Sequence, residues 1–292
     1  MPQVLHPFEY YEPITSEEAV RILSKYGDKS KALAGGVDLI ARMRQRQIKP
    51  ECVVNIKQLP GLNYIQHDET KSLRIGALST LRSIELSPII KQDYIALYEA
   101  VHQITSVQVK TMGTMIGNLC VASPASDVAP ALIVLGAKCQ IISLAPKRTI
   151  YIENFFTGVN QTILQPDEIV TDVLLPSRPK GSGSAFMNLV RTAGDIAKVN
   201  VAVYLLVDNN TCKEAKIALG AVAPTVIRAR KAEEILKGQR LTPEIIKKAA
   251  TSATEGTKPI TDIRSTSEYR KETTEVLVRR TIVKALERAK VS

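Results

Sequence analysis

Apolar positions along the chain alternate between two periods, and the changes of period outline the fold. Ala19, Val20, Ile22 and Leu23 share one face of a helix. That helix opens at Thr15-Ser16-Glu17-Glu18, a capping box with Thr15 as N-cap, and closes at Gly27. Residues 31–34 read as a strand, 37–46 as a helix and 53–56 as a strand, before the Pro60-Gly61 turn. A second region opens with a strand over 73–77. Thr80 then caps a helix through Glu85, residues 93–103 form another, and 127–135 an apolar one. Runs of Ile, Val and Leu predict strands over 139–144, 149–152 and 169–175. Residues 179–184 are the best linker candidate. Beyond them come strands over 185–191, 199–208 and 213–222, then helices over 227–237, 243–253 and 269–290. These elements predict an α+β protein in three parts, 1–57, 58–177 and 178–292.

Composition narrows the function classes. At 292 residues with 45% apolar positions, the chain can bury a sizeable core. No apolar run has membrane-spanning length, and the start Met1-Pro2-Gln3-Val4-Leu5 lacks the pattern of a signal peptide, so a cytoplasmic protein without a membrane span is expected. Cys52, Cys120, Cys139 and Cys212 form no CxxC pair, and His6, His67 and His102 no HxxxH group, so no metal or iron–sulfur site is expected in this chain. The net charge of +10 is concentrated in the last third, where residues 221–292 hold 16 Lys+Arg against 9 Asp+Glu. Those charges mix with acids on helical patterns and aromatics are few. That favours a solvated face or a surface for an acidic protein over nucleic-acid binding.

The candidate chemistry lies in two glycine-bearing segments. One is Lys31-Ala32-Leu33-Ala34-Gly35-Gly36-Val37-Asp38. The other is Gly113-Thr114-Met115-Ile116-Gly117-Asn118, followed by Ala122-Ser123-Pro124-Ala125-Ser126-Asp127. Each places glycine where a strand-like run gives way to a helix-like one. Glycine permits a tight turn and close ligand approach, and the open N–H groups of a helix start favour an anion. Two such cradles point to one large ligand with a diphosphate, such as a dinucleotide cofactor. Neither has the GxGxxG or GKS/GKT spacing of the standard nucleotide sites. Asn118 is either a turn cap or a ligand residue; Asp127 is either a helix cap or an acceptor for ribose or ribityl hydroxyls.

In this order the segments resemble the FAD-binding medium subunit of the molybdenum hydroxylases, a group that includes carbon monoxide dehydrogenase, xanthine dehydrogenase and aldehyde-oxidising relatives. Ala34-Gly35-Gly36-Val37-Asp38 is similar to the family's first flavin motif, and Thr114-Met115-Ile116-Gly117-Asn118 to its second, usually Thr-Ile-Gly-Gly-Asn. Asp195-Ile196-Ala197-Lys198-Val199, Asp262-Ile263-Arg264 and Ser267-Glu268-Tyr269-Arg270 continue the resemblance past the linker. It implies a two-subdomain FAD-binding fold followed by a C-terminal three-stranded sheet with helices. Lys31–Asp38 and Thr114–Asn118 would hold the diphosphate, Asp127 the hydroxyls, and Ile169 and Val170 would lie along the ring system on a strand edge. It also implies no catalytic residue in this chain. A large subunit with a molybdopterin-type molybdenum cofactor and a small subunit with [2Fe–2S] clusters would complete a heterotrimer, whose dimerisation is left open.

Two positions depart from the family. Ile116 replaces the first Gly of the pair, where a side chain limits backbone approach. Met187 and Asn188 stand where relatives place a lysine near the flavin, so that charge is missing or comes from Arg191, itself otherwise an ordinary surface residue. The substrate is decided in the large subunit. Aldehyde oxidation, as by similar glyceraldehyde enzymes of thermophilic archaea, is the expectation for the holoenzyme. Oxidation of carbon monoxide or an N-heterocycle, or a self-contained FAD oxidoreductase, are the alternatives.

Overall fold

The computed structural model describes residues 5–68, 72–104 and 106–291; residues 1–4, read above for a leader, lie outside them. The N-terminal part is a small parallel sheet. Its strands are β1 (Glu9–Tyr11), β2 (Ser30–Leu33) and β3 (Cys52–Asn55), in the order β1-β3-β2, with helix α1 (Ser16–Tyr26) between the first two and α2 (Val37–Arg44) between the last two. Thr15 caps α1 as expected, its Oγ1 accepting from the Glu18 N–H, while the Glu18 carboxylate reaches back to the Ile14 N–H. α1 buries Ala19, Val20 and Leu23, and α2 packs through Met43 onto Leu33 and Val53. The three strands end together, so residues following β1, β2 and β3 meet at one rim, where parallel sheets present their ligand sites.

The second part is a sheet with the order β4-β5-β10-β6-β7. β4 (Ile65–His67) and β5 (Leu73–Gly76) precede six short helices: α3 (Leu81–Leu86), α4 (Pro88–Asp93), α5 (Ile95–Gln103), α6 (Val107–Met112), α7 (Met115–Val121) and α8 (Val128–Val134). β6 (Lys138–Ile142), β7 (Arg148–Tyr151), the small hairpin of β8 (Phe156–Gly158) and β9 (Gln161–Thr162), and β10 (Ile169–Leu175) complete it. The helix expected over 93–103 is α5, and a further short helix, α4, precedes it. Ser87 caps α4 with Pro88 in its first turn, and Tyr94 leaves the helical region at φ −124°, ψ 51° before α5 begins. α8 is buried at every position.

The third part begins inside the expected linker, because β11 (Ser182–Leu189) starts at Ser182. It pairs antiparallel with β12 (Val199–Asp208), which pairs with β13 (Thr211–Gly220). The three long strands are those expected. A two-residue strand, β14 (Ile227–Arg228), joins them where a helix start had been expected, and α9 (Arg230–Leu236) begins after it. α10 (Pro243–Ala253) and the long α11 (Ser267–Val291) cover one face. α11 lies directly on β11: a Cβ at Gly183 would sit 2.1 Å from the Ala285 carbonyl oxygen. Glu99 on α5 ties the second part to the third. Its carboxylate accepts from Arg288 at 2.7 Å, Lys284 at 2.7 Å and the Phe186 N–H at 2.9 Å.

Candidate cofactor-binding site

The first glycine segment sits at the rim of the parallel sheet. Edge strand β2 ends at Leu33, the chain turns through Gly35 and Gly36, and α2 begins at Val37. Gly36 occupies the left-handed region at φ 75° and offers no side-chain cap, so the first N–H groups of α2 have no partner within the helix. The rim is organised from below. Buried Asn55 donates to Tyr10 Oη and Glu12 Oε1, both at 2.8 Å, and accepts from the Lys57 N–H. Lys57 Nζ lies 3.5 Å from the Ala34 carbonyl oxygen, and partial burial lowers its pKa. A turn with open amides and a neighbouring cation can hold an anion such as a diphosphate.

The second segment is different from its expected form. Helix α6, not a strand, precedes it, and Gly117 and Asn118 lie within α7. Thr114 caps α7 by accepting from the Gly117 N–H at 3.0 Å. The Met115 N–H donates to Ser79 O and the Asn118 N–H to Thr114 O. The Met115, Gly117 and Asn118 amides of this segment are thus all engaged inside the protein. Ile116, at the family's glycine position, points into the core with only 5% of its surface exposed. Its side chain leaves the surface side of α7 clear. The α6–α7 junction nevertheless meets the first segment. A Cβ at Gly35 would fall 2.1 Å from the Met112 carbonyl oxygen and 2.9 Å from the Gly113 Cα. α6 is anchored for this contact by buried Lys110, which pairs with Glu85 at 2.6 Å. Burial opposes the Glu85 charge, but Lys110, Arg82 and His102 hold its carboxyl down to about 2.

From α7 the site continues to Asp127. Asn118 Oδ1 accepts from Ser126 Oγ at 2.6 Å, and Ser126 Oγ in turn accepts from the Ala129 N–H. Ser126 therefore serves the start of α8, and the Asp127 carboxylate makes no cap hydrogen bond there. It turns to the C-terminal sheet instead. Asp127 Oδ1 accepts from Asn200 Nδ2 at 2.8 Å and Asn188 Nδ2 at 3.4 Å. Burial pushes its carboxyl up to about 6, against the effect of those two amides. Its Oδ2 accepts no hydrogen bond from any described residue.

The family described as FAD binding domain in molybdopterin dehydrogenase matches residues 6–178, more than half of the chain. The chain belongs to this family. A second description, CO dehydrogenase flavoprotein C-terminal domain, matches residues 184–285. The nicotine 6-hydroxylase medium subunit of Paenarthrobacter nicotinovorans is 32% identical over 281 residues, 96% of this chain and 98% of that one. The glyceraldehyde dehydrogenase medium chain of Sulfolobus acidocaldarius is 30% identical, over 92% of this chain and 95% of that one. Among solved structures, carbon monoxide dehydrogenase from Hydrogenophaga pseudoflava matches with a TM-score of 0.95 at 31% identity, covering 98% of this chain and 99% of that one. The chain is therefore an oxidoreductase flavoprotein with an FAD-binding domain and a flavoprotein C-terminal domain.

Within this family fold, Lys31 and Ala32 are exposed on the edge strand and Leu33 is buried beneath it. Ala34, Gly35, Gly36, Val37 and Asp38 form the turn and first helical residues. Ile169 and Val170 are buried, on a strand at the centre of its sheet. β5 pairs with β10 only from Asp172 onward, so these two residues have a neighbouring strand on one side alone. Arg191 pairs with Asp195 at 3.1 Å and is largely exposed. Asn200 and Lys57 escaped the sequence reading. Asn200 did leave a signal: it is the one amide in an otherwise apolar strand, Val199-Asn200-Val201-Ala202-Val203. No group of His, Cys, Asp or Glu among the described residues could hold a metal ion, and no described helix is long and apolar enough to cross a membrane.

Proposed function

We propose that this chain is the FAD-carrying electron-transfer subunit of a molybdenum hydroxylase. The observation that carries the reading is the open turn Gly35–Asp38, set against the α6–α7 junction in a chain whose first 178 residues match an FAD-binding family. The structure's features fit the cofactor: a glycine at positive φ, uncapped helix amides, and a half-buried carboxylate with one oxygen left over. The α2 amides would hold the diphosphate with Lys57 beside them, Asp127 Oδ2 would accept from ribityl or ribose hydroxyls, and Ile169 and Val170 would border the ring system. The Thr114–Asn118 segment contributes mainly by shaping the wall through Thr114 and Asn118. When bound, FAD connects one-electron donors to a two-electron acceptor. The protein's share is position and electrostatics, and no residue here is assigned as acid, base or nucleophile.

The relatives are named medium subunits or medium chains, which supports a heterotrimer with a large molybdenum subunit and a small [2Fe–2S] subunit; we propose that this complex acts in the cytoplasm. Aldehyde oxidation by the holoenzyme draws support from the glyceraldehyde relative at 30% identity. Carbon monoxide and an N-heterocycle draw equal support from relatives at 31% and 32%. The deciding experiment is purification from the native source, with a visible spectrum and identification of the accompanying chains. Flavin and iron–sulfur absorption with two partner chains is the expected result. A lone yellow chain that turns over a substrate by itself would overturn it in favour of a self-contained flavoenzyme; a colourless chain would overturn the FAD assignment.

A further inference from the structure

We infer that Asn200, on β12 of the C-terminal sheet, is a positioning residue that aims the Asp127 carboxylate at the cofactor's hydroxyl-bearing chain. The inference rests on reading Asp127 as an FAD ligand. Asn200 is completely buried, and its Nδ2 donates to Asp127 Oδ1 at 2.8 Å and to the Ser126 carbonyl oxygen at 3.1 Å. Both neighbours are acceptors, so the flipped amide would set oxygen against oxygen, and the orientation is decided. In this orientation Asn200 Oδ1 is buried and has no hydrogen-bond partner among the described residues. A stranded carbonyl is unfavourable, and a valine, like those on either side, would avoid it. The amide is therefore explained by what its nitrogen holds.

The fold makes room for it. A Cβ at Gly220 would sit 2.1 Å from Asn200 Oδ1 and 3.2 Å from Pro124 O. The next residue, Ala221, at φ 61°, donates its N–H to Pro124 O at 2.7 Å and so fixes the loop that ends in Asp127. Both amide donors, from Asn200 and Asn188, go to Oδ1, which leaves Oδ2 for a ligand. No cation pairs with Asp127 among the described residues, so the carboxylate is oriented without being neutralised. The C-terminal domain thereby sets cofactor affinity across the interface with the FAD-binding region.

The test is FAD titration of the apoprotein, followed by flavin fluorescence, for the wild type, Asn200→Val, Asp127→Ala and the double variant, with circular dichroism to confirm folding. Asn200→Val should weaken FAD binding about tenfold. It should also move the loss of affinity on acidification to higher pH, because the lost donor favours the ionised carboxylate. In the Asp127→Ala background the same substitution should change affinity less than about twofold, since its effect runs through Asp127. Should Asn200→Val unfold, Asn188→Ala offers the second donor for the same cycle and should weaken binding by a smaller factor. Wild-type affinity and pH profile in Asn200→Val, or an undiminished effect in the Asp127→Ala background, would overturn the positioning role alone. A wild-type apoprotein that takes up no FAD would overturn the FAD reading beneath it.

Discussion

The two glycine segments look like twins in the sequence and fold into opposites. At Gly35–Asp38 the chain leaves an edge strand and enters α2 without a side-chain cap, so the helix start stays open. At Thr114–Asn118 a threonine closes α7, the preceding element is a helix, and the neighbouring loop takes up a further amide. The glycines also have different reasons. Gly36 is needed for its positive φ, Gly35 for the approach of the Met112 carbonyl, and Gly117 because a Cβ would crowd Thr114 Oγ1 at 2.8 Å. A glycine before a helix thus marks a close approach, but the approaching group can be the protein's own backbone. Only the unengaged amides separate a ligand cradle from a packing contact.

The largest effect should come from the point where the segments touch. Gly35→Val drives a β-branched side chain into the Met112 carbonyl, and a loss above about 4 kcal/mol is expected along with flavin retention, read as melting temperature and bound FAD. A near-normal melting temperature would break the comparison, since the first glycine would then serve the ligand alone. Ile116→Gly, which restores the family's residue, removes a buried side chain and places glycine in a helix. It should cost about 3–4 kcal/mol by urea denaturation, and a neutral result would mean the side chain does not support the core.

Asp127→Asn tests the far end of the site and has a defined sign. The folded carboxyl, raised to about 6, binds protons more readily than in the unfolded chain, so ionising it destabilises the fold as pH rises from about 4 through 6. The variant should therefore melt higher than the wild type at pH 8, by about 1–2 kcal/mol, with the gap closing near pH 4 and FAD affinity reduced. A gap independent of pH would remove Asp127 as a buried ionisable group. Thr114→Ala should be the mildest, about 1 kcal/mol from the lost cap of α7, with FAD affinity little changed. A large loss of FAD with unchanged stability would instead make Thr114 a direct ligand residue and draw the two segments together again.

Much of the fold was legible because it follows local rules. The α1 face, the Thr15 and Thr80 caps and the three long C-terminal strands all follow from periodicity and capping chemistry within a few residues. The misses have non-local causes. β1 and β14 are too short to show a period and exist through pairing with β3 and β13. Ser182 reads as linker by composition, but it becomes strand by pairing with Leu206. In the site, the sequence order of Gly35-Gly36, Asn118 and Asp127 was sufficient to nominate them, while the role of Asp127 was left between cap and ligand. Ser126 took the place of the cap, and that substitution of one acceptor for another one residue away cannot be read from spacing.

By itself, then, the sequence determined the strand and helix periods, the glycine positions and the family, all properties written in short stretches of residue types. The tertiary structure decided which amides stay open, which way Ile116 faces, and that Asp127 is held from 73 residues away by Asn200. The physical reason is that hydrogen bonding is a matter of completed pairs. A donor or acceptor becomes available to a ligand only when every partner the fold could bring to it has been assigned elsewhere, and those partners come from distant parts of the chain.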